Sequence, residues 1–159
     1  MLKGKTDVIE FTVPAVPVAQ PRQRHSAQVI CGRVISRNYT PAGHAVNSFR
    51  ASVRMAAREA YSGPPLDGPL CVDVVAVFPR PQSQIWKRRE MPRQRHAKKP
   101  DRDNLDKAIL DCLSGILWRD DCQVCAGSIE KWIAAGDEQP HVTVRVSSVS
   151  SNAQAEQTA

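Results

Sequence analysis

A chain of 159 residues, 42% hydrophobic and 24% charged, is long enough to bury one sizeable core and is expected to fold as a single soluble domain. It has no run of about 18 apolar residues, which excludes a membrane-spanning helix, and its opening, MLKGKTDVIEFTV, lacks the long apolar stretch of a secretory signal. The formal charge of +6 points to a polyanionic partner.

In chain order, VIEFTV (8–13) is β-rich and roughly alternating, which predicts a first strand. PAVPVAQPRQRHSAQ follows as a basic, proline-rich loop carrying Arg22 and Arg24. VICGRVIS (29–36) reads as a β-segment that turns at Gly32. A helix is expected next, with Thr40 as N-cap and Pro41 at its first position. Val46, Phe49, Val53, Ala56, Ala57 and Ala60 would form its apolar face, and Gly63-Pro64-Pro65 would stop it. Arg50, Arg54 and Arg58 share one face of this helix, either as a solvated stripe or as one that meets phosphates.

PLCVDVVAVFP (69–79) is apolar on both faces and is expected to be a central strand. Residues 80–100 carry eight Lys or Arg and a single acid, and read as a long surface loop with a short helical turn near Trp86. A second helix over roughly 103–115 follows, with Leu105, Ala108, Ile109, Cys112, Leu113 and Ile116 as its stripe. QVCAGSIEKWIA and HVTVRVSSV predict two further strands, and Trp132 is expected in the core. The architecture predicted is α+β: one domain over 1–149, a small mixed sheet flanked by two main helices, then a disordered polar tail over 150–159.

Cysteines 31, 71, 112, 122 and 125 are odd in number and irregular in spacing, which suggests reduced thiols and a cytoplasmic protein. CQVC (122–125) has zinc-like spacing, and Cys112 or His96 would have to complete such a site, because no second CxxC pair exists.

The acids of KPDRDNLDKAILDCLSGILWRDDCQVC (99–125) stand beside the strongest basic stretch. Asp101 and Asp103 would face one point in an extended segment, or Asp103 would cap the helix with Asp106 three residues on. Neither reading alone accounts for Asp120 and Asp121. If the chain returns after Gly115, Asp121 meets Asp103, and such a cluster of carboxylate oxygens suits Mg²⁺, with Mn²⁺ as a substitute. Lys107, one turn after Asp103, either pairs with Asp103 and Asp111 along the helix or stabilises charge on a phosphate oxygen. Acids to hold a metal and bases to hold a nucleic acid backbone together describe metal-dependent phosphodiester cleavage. Lys87, Arg88, Arg89, Arg93, Arg95, Lys98, Lys99 and Arg102, with Arg22 and Arg24, are the candidate DNA contacts, and no small-molecule cofactor is called for. Trp118 would position the acid pair, and Trp86 is a candidate for stacking on an unpaired base.

DRDNLDKAILDCLSGILWRDDCQV resembles the signature region of the RusA family of Holliday-junction resolvases, and FTVPAVPVAQPRQR is similar to that family's opening strand and basic loop. The resemblance implies a small homodimeric, Mg²⁺-dependent endonuclease that resolves branched DNA (four-way junctions) by paired symmetric nicks, leaving 5′-phosphate and 3′-hydroxyl ends. By residue, it places Asp101, Asp103 and Asp121 on the catalytic, metal-binding carboxylates and Lys107 on the catalytic lysine, with Asp120 as the first acid of the pair. Here the link from helix to Asp-Asp pair is about one residue shorter, the basic loop is longer, and the tail is extra. The competing readings are a DNA-binding module that does not cut and a metal-dependent nuclease of other specificity.

Overall fold

A computed structural model describes residues 8–21, 24–39 and 41–149. The elements in order are β1 (Ile9–Val13), β2 (Arg24–Ile30), β3 (Arg33–Tyr39), α1 (Ala45–Ala60), β4 (Leu70–Phe78), β5 (Gln94–Arg95), α2 (Arg102–Leu113), β6 (Val124–Ile133) and β7 (His141–Ser148). Five strands form one mixed sheet in the order β1-β7-β4-β6-β5, and β2 with β3 forms a separate two-stranded sheet. The fold is α+β, as its sequence pattern predicts.

Alternation builds the sheet. Ile9, Phe11 and Val13 of β1 are buried while their neighbours are exposed. In register they face Val146, Val144 and Val142 of β7, which pair on to Val72, Val74 and Ala76 of β4. Both helices cover this one face. Val46, Phe49, Val53 and Ala57 of α1 and Leu105, Ala108, Ile109, Cys112 and Leu113 of α2 are buried at three- and four-residue spacing. Each such Leu, Ile, Val or Phe contributes roughly 1.5–3 kcal/mol by leaving water. The central place expected for β4 is observed, but only one of its faces is covered by helices. On the other, Cys71, Asp73 and Val75 are half-buried, and Asp73 accepts a 2.7 Å hydrogen bond from Ser128.

Several local expectations are corrected. The first helix begins at Ala45, not Pro41, because residues 41–44 form a turn (His44 N–H to the Pro41 carbonyl, 3.0 Å) and His44 Nδ1 accepts from Val46 N–H at 3.1 Å. Thr40 lies outside the described residues, as do Arg22 and the tail over 150–159. Ala60 is exposed. The β-segment near Gly32 is a longer hairpin, because pairing runs from Ile30↔Arg33 to Arg24↔Tyr39 and takes in residues assigned to the loop. Its two-residue turn uses Cys31 (φ 51) and Gly32 (φ 72), the positive φ pair that matches strand twist. β6 and β7, consecutive in the chain, lie on either side of β4.

The stretch over 80–100 is tied down rather than free. Arg80 is only 9% exposed and donates to the carbonyls of Ala134 (2.9 Å) and Pro92. Gln94 and Arg95 pair with Ile133 and Trp132, His96 stacks on Phe78 at 4.5 Å between ring centroids, and the helical turn falls at Gln82–Gln84. Trp132 is therefore half-buried on the outer face under the Arg95 guanidinium, 3.7 Å from its ring, and not in the core.

The pairing of β4 with β6 slips at its start, where Leu70 faces Val124 but Cys71 faces Ala126, leaving Cys125 as a bulge. Two residues on, Gly127 has φ 145, and a Cβ there would stand 1.9 Å from the Val72 carbonyl oxygen. Gly127→Ala is expected to cost about 2–4 kcal/mol through strain and backbone displacement, read as a lowered midpoint in thermal or urea unfolding.

Candidate active site

The N-terminus of α2 is where the first acids stand. Asp101 is its N-cap residue, and its side chain makes no capping hydrogen bond. Asp103 is inside the first turn, so it is neither extended with Asp101 nor the cap. Helical geometry takes over at Arg102, which turns Asp103 away from the direction that an extended segment would give it. Both carboxylates are exposed and enter no ion pair among the described residues, and each is favoured there by the helix dipole. Lys107 is exposed too and likewise unpaired. The expected helix-surface bridges are not formed, since Asp111 instead faces Arg50 of α1 at 3.8 Å.

The proline-rich segment crosses this end of α2. Gln20 N–H donates to the Asn104 carbonyl at 2.9 Å, and Arg50 donates to the Gln20 side chain. Arg50 is thus drawn inward, while Arg54 and Arg58 stay exposed on α1. Arg24 opens β2, a few residues beyond Gln20. On the other side, Lys131 Nζ donates to the carbonyls of Lys98 (2.7 Å) and Pro100 (2.6 Å), fixing the backbone that delivers Asp101.

Asp120 and Asp121 stand elsewhere. After α2 the chain turns at Gly115 (φ 78), whose N–H donates to the Trp118 carbonyl at 2.7 Å. Trp118 is fully buried, and its indole N–H donates to Asp121 Oδ1 at 2.9 Å, so it positions this carboxylate. Asp120 serves the turn itself. Its side chain accepts from Cys122 N–H at 2.9 Å, while the Gln123 side chain accepts from Asp120 N–H at 3.1 Å. The Cys122 hydrogen bond holds the Asp120 carboxyl below its usual range. Cys122 lies in this turn and not in the strand, which starts at Val124.

Residues 114–123 join α2 to β6, and Lys131 near the end of β6 reaches Pro100 just before α2, so the two run in opposite directions. The 12 residues of α2 span about 18 Å. Asp121 is therefore at the far end from Asp101 and Asp103, and the convergence expected within one chain does not occur. Among the described residues, no three His, Cys, Asp or Glu side chains stand together as a metal site. Between α2 and β6 lies a groove lined by Arg102, Asp106, Leu110, Val124, Cys125 and Ser128. Burial raises the Asp106 carboxyl and the nearby Arg102 opposes that shift.

The candidate DNA contacts between Lys87 and Arg102 divide into two sets. Lys87, Arg88, Arg89, Lys98, Lys99 and Arg102 are exposed and enter no ion pair among the described residues. Arg93 holds Glu138 with two oxygens at 2.9 and 3.0 Å, and Arg95 holds Glu130 at 3.0 Å, so these two brace the loop. Sequence reasoning missed Arg80 and Lys131 as organisers of the site, since nothing marks a buried arginine or a carbonyl clamp in a basic chain.

Residues 14–147 match the family described as Endodeoxyribonuclease RusA. The chain belongs to the RusA endodeoxyribonuclease family. A relative from Bacillus subtilis (strain 168), the uncharacterized protein YqaN, is 32% identical over 149 residues, covering 91% of this chain and 99% of that protein. A RusA-family chain is a nuclease, and the family match spans the acids, Lys107 and the basic loop alike.

If Asp120 acts as a cap and Asp121 as a functional carboxylate, their substitutions separate. Asp120→Asn keeps a capping oxygen and is expected to leave the nicking rate of branched DNA within about threefold. Trp118→Phe keeps the buried ring but removes the donor to Asp121, and is expected to slow nicking about 10- to 100-fold.

Proposed function

We propose that this protein is a Mg²⁺-dependent Holliday-junction resolvase working as a homodimer, with each active site built from both chains. The observation that carries this reading is the separation of Asp121 from Asp101 and Asp103 by the length of α2, together with a free strand edge. β6 is paired on its outer side only near Lys131, Trp132 and Ile133. Among the described residues, no strand covers Val124–Glu130 on that side, and Cys125–Ser128 is exposed. A free edge of this kind takes another strand.

A second copy of β6 laid antiparallel along this edge, with the two-fold axis near Gly127, sets the start of one strand beside the end of the other. Asp121 precedes the start of β6; Lys131, near its end, holds the carbonyl of Pro100. Asp121 of the partner subunit then comes to Asp101 and Asp103, and the exchange is reciprocal. The donor set fits a divalent cation: carboxylate oxygens are hard ligands, Asp101 makes no capping bond and Asp103 no ion pair. Asp101, Asp103 and Asp121 of the partner subunit would hold the metal.

A bound divalent ion would supply positive charge to the scissile phosphate and an acidified water. Trp118 holds the orientation of its own Asp121. Lys107, exposed and one turn beyond Asp103, opposes the charge that develops on the phosphate oxygens. Lys98, Lys99 and Arg102 flank the same end of α2 and hold the backbone of the bound strand. Two sites related by a two-fold axis match the approximate two-fold symmetry of a four-way junction, so paired nicks follow from the assembly.

The test is a nicking assay on a synthetic four-way junction with Mg²⁺. Asp103→Asn and Asp121→Asn, each alone, are expected to lose about 100-fold or more. Mixed after co-refolding, about half the dimers would be hybrids with one intact site, and single nicks should return. Loss by both variants with no recovery on mixing places each site within one chain; undiminished nicking by Asp103→Asn removes these carboxylates from the chemistry.

A further inference from the structure

The loop between β4 and α2 exposes Ile85 and Trp86 (46% and 38%) directly ahead of Lys87, Arg88 and Arg89. Exposed apolar residues are ordinary one at a time. What sets these apart is the bracing beneath them. Arg80 ties the start of the loop to Ala134 and Pro92, and Gly136 N–H donates to the Met91 carbonyl at 2.9 Å. Arg93 grips Glu138 and Arg95 grips Glu130. Trp86 N–H in turn donates to Met91 Sδ at 3.3 Å, so the tip is fastened through its backbone to an anchored residue while the side chain stays partly open to solvent. A loop held this firmly has no need of a half-open tryptophan for its own stability. The Arg89 guanidinium lies 5.9 Å from the indole ring, which keeps a cation beside the ring's face.

We infer that Ile85–Arg89 is a base-stacking finger, in which Trp86 takes an unstacked base at a DNA branch point and Lys87, Arg88 and Arg89 hold the adjoining phosphates. The inference rests on the nuclease reading and adds what selects the substrate. An aromatic face flanked by cations is the chemistry that binds unpaired nucleotides without regard to sequence. A continuous duplex keeps its bases stacked and offers Trp86 no partner, whereas a branched one does. Cationic side chains alone would hold both kinds of DNA equally. The finger also belongs to the same fixed path of chain as the carboxylates: the loop runs on through Lys98 and Pro100, both held by Lys131, to Asp101.

The test measures affinity in EDTA, where no cutting occurs, for a four-way junction with 2-aminopurine at the branch and for a linear duplex of equal length. Trp86→Ala should weaken junction binding about tenfold, change duplex binding less than about twofold, and abolish the 2-aminopurine fluorescence change, while Trp86→Phe retains most of both. Replacing Lys87, Arg88 and Arg89 together by Ala should weaken both DNAs alike. Thermal melts should stay close to wild type, because the loop is braced through Arg80, Met91, Arg93 and Arg95 rather than through the indole. Unchanged junction affinity in Trp86→Ala, or equal loss on both DNAs, overturns the finger while metal-dependent nicking of the junction leaves the resolvase reading standing. A wild type that neither prefers nor nicks the junction overturns both.

Discussion

The docking of α2 on the sheet sets the position of every candidate functional group. Its apolar stripe is buried in the core it shares with α1 and the sheet, its direction is opposite to that of β6, and the link between the two closes around Trp118. Reversing or sliding this helix would expose Leu105, Ile109 and Leu113, whose burial is worth several kcal/mol. With the helix fixed, the acids at its two ends are held apart. The core therefore keeps like charges from crowding within the chain.

The same docking explains how a strongly basic chain can present exposed, unpaired carboxylates at one end of α2. The acids sit at the helix N-terminus, where the backbone's own partial positive charge favours them. The lysines and arginines around them are exposed or held by carbonyls, as Lys131 is, and do not neutralise them in pairs. Electrostatic balance is left for a ligand to complete.

Much of the fold was legible from periodicity. β4, α1, α2 and β7 each carry an apolar pattern, and most of its residues are buried where the pattern puts them; Ala60 at the end of α1 is exposed, and Ile116 lies half-buried beyond the end of α2. The hairpin of β2 and β3 was only half legible, because Arg24, His25 and Ser26 give no alternating signal and follow a run of prolines. The rigidity of residues 80–100 was hidden for a similar reason: an arginine reads as surface charge until Arg80 is seen buried against two carbonyls. The candidate site residues stood out in the sequence by type and spacing. Their mutual distance was not, since it depends on which way β6 runs back along α2, and a motif carries no such direction. Trp118 was legible as the support of Asp121, whereas Trp132 misled because a tryptophan in a strand can as readily cover a sheet's outer face beneath an arginine.

The ion pairs of the braced loop bear on how salt should govern this protein. Arg93 and Arg95 already face Glu138 and Glu130, so their charge is balanced within the chain and displaces no cations when DNA arrives. Counterion release is then confined to the unpaired lysines and arginines at the tip of the loop and around the start of α2. The dependence of affinity on ionic strength should therefore be shallower than a census of lysines and arginines implies. If the proposed stacking holds, affinity for a branch point would fall less at physiological salt than that of a uniformly cationic surface of the same formal charge.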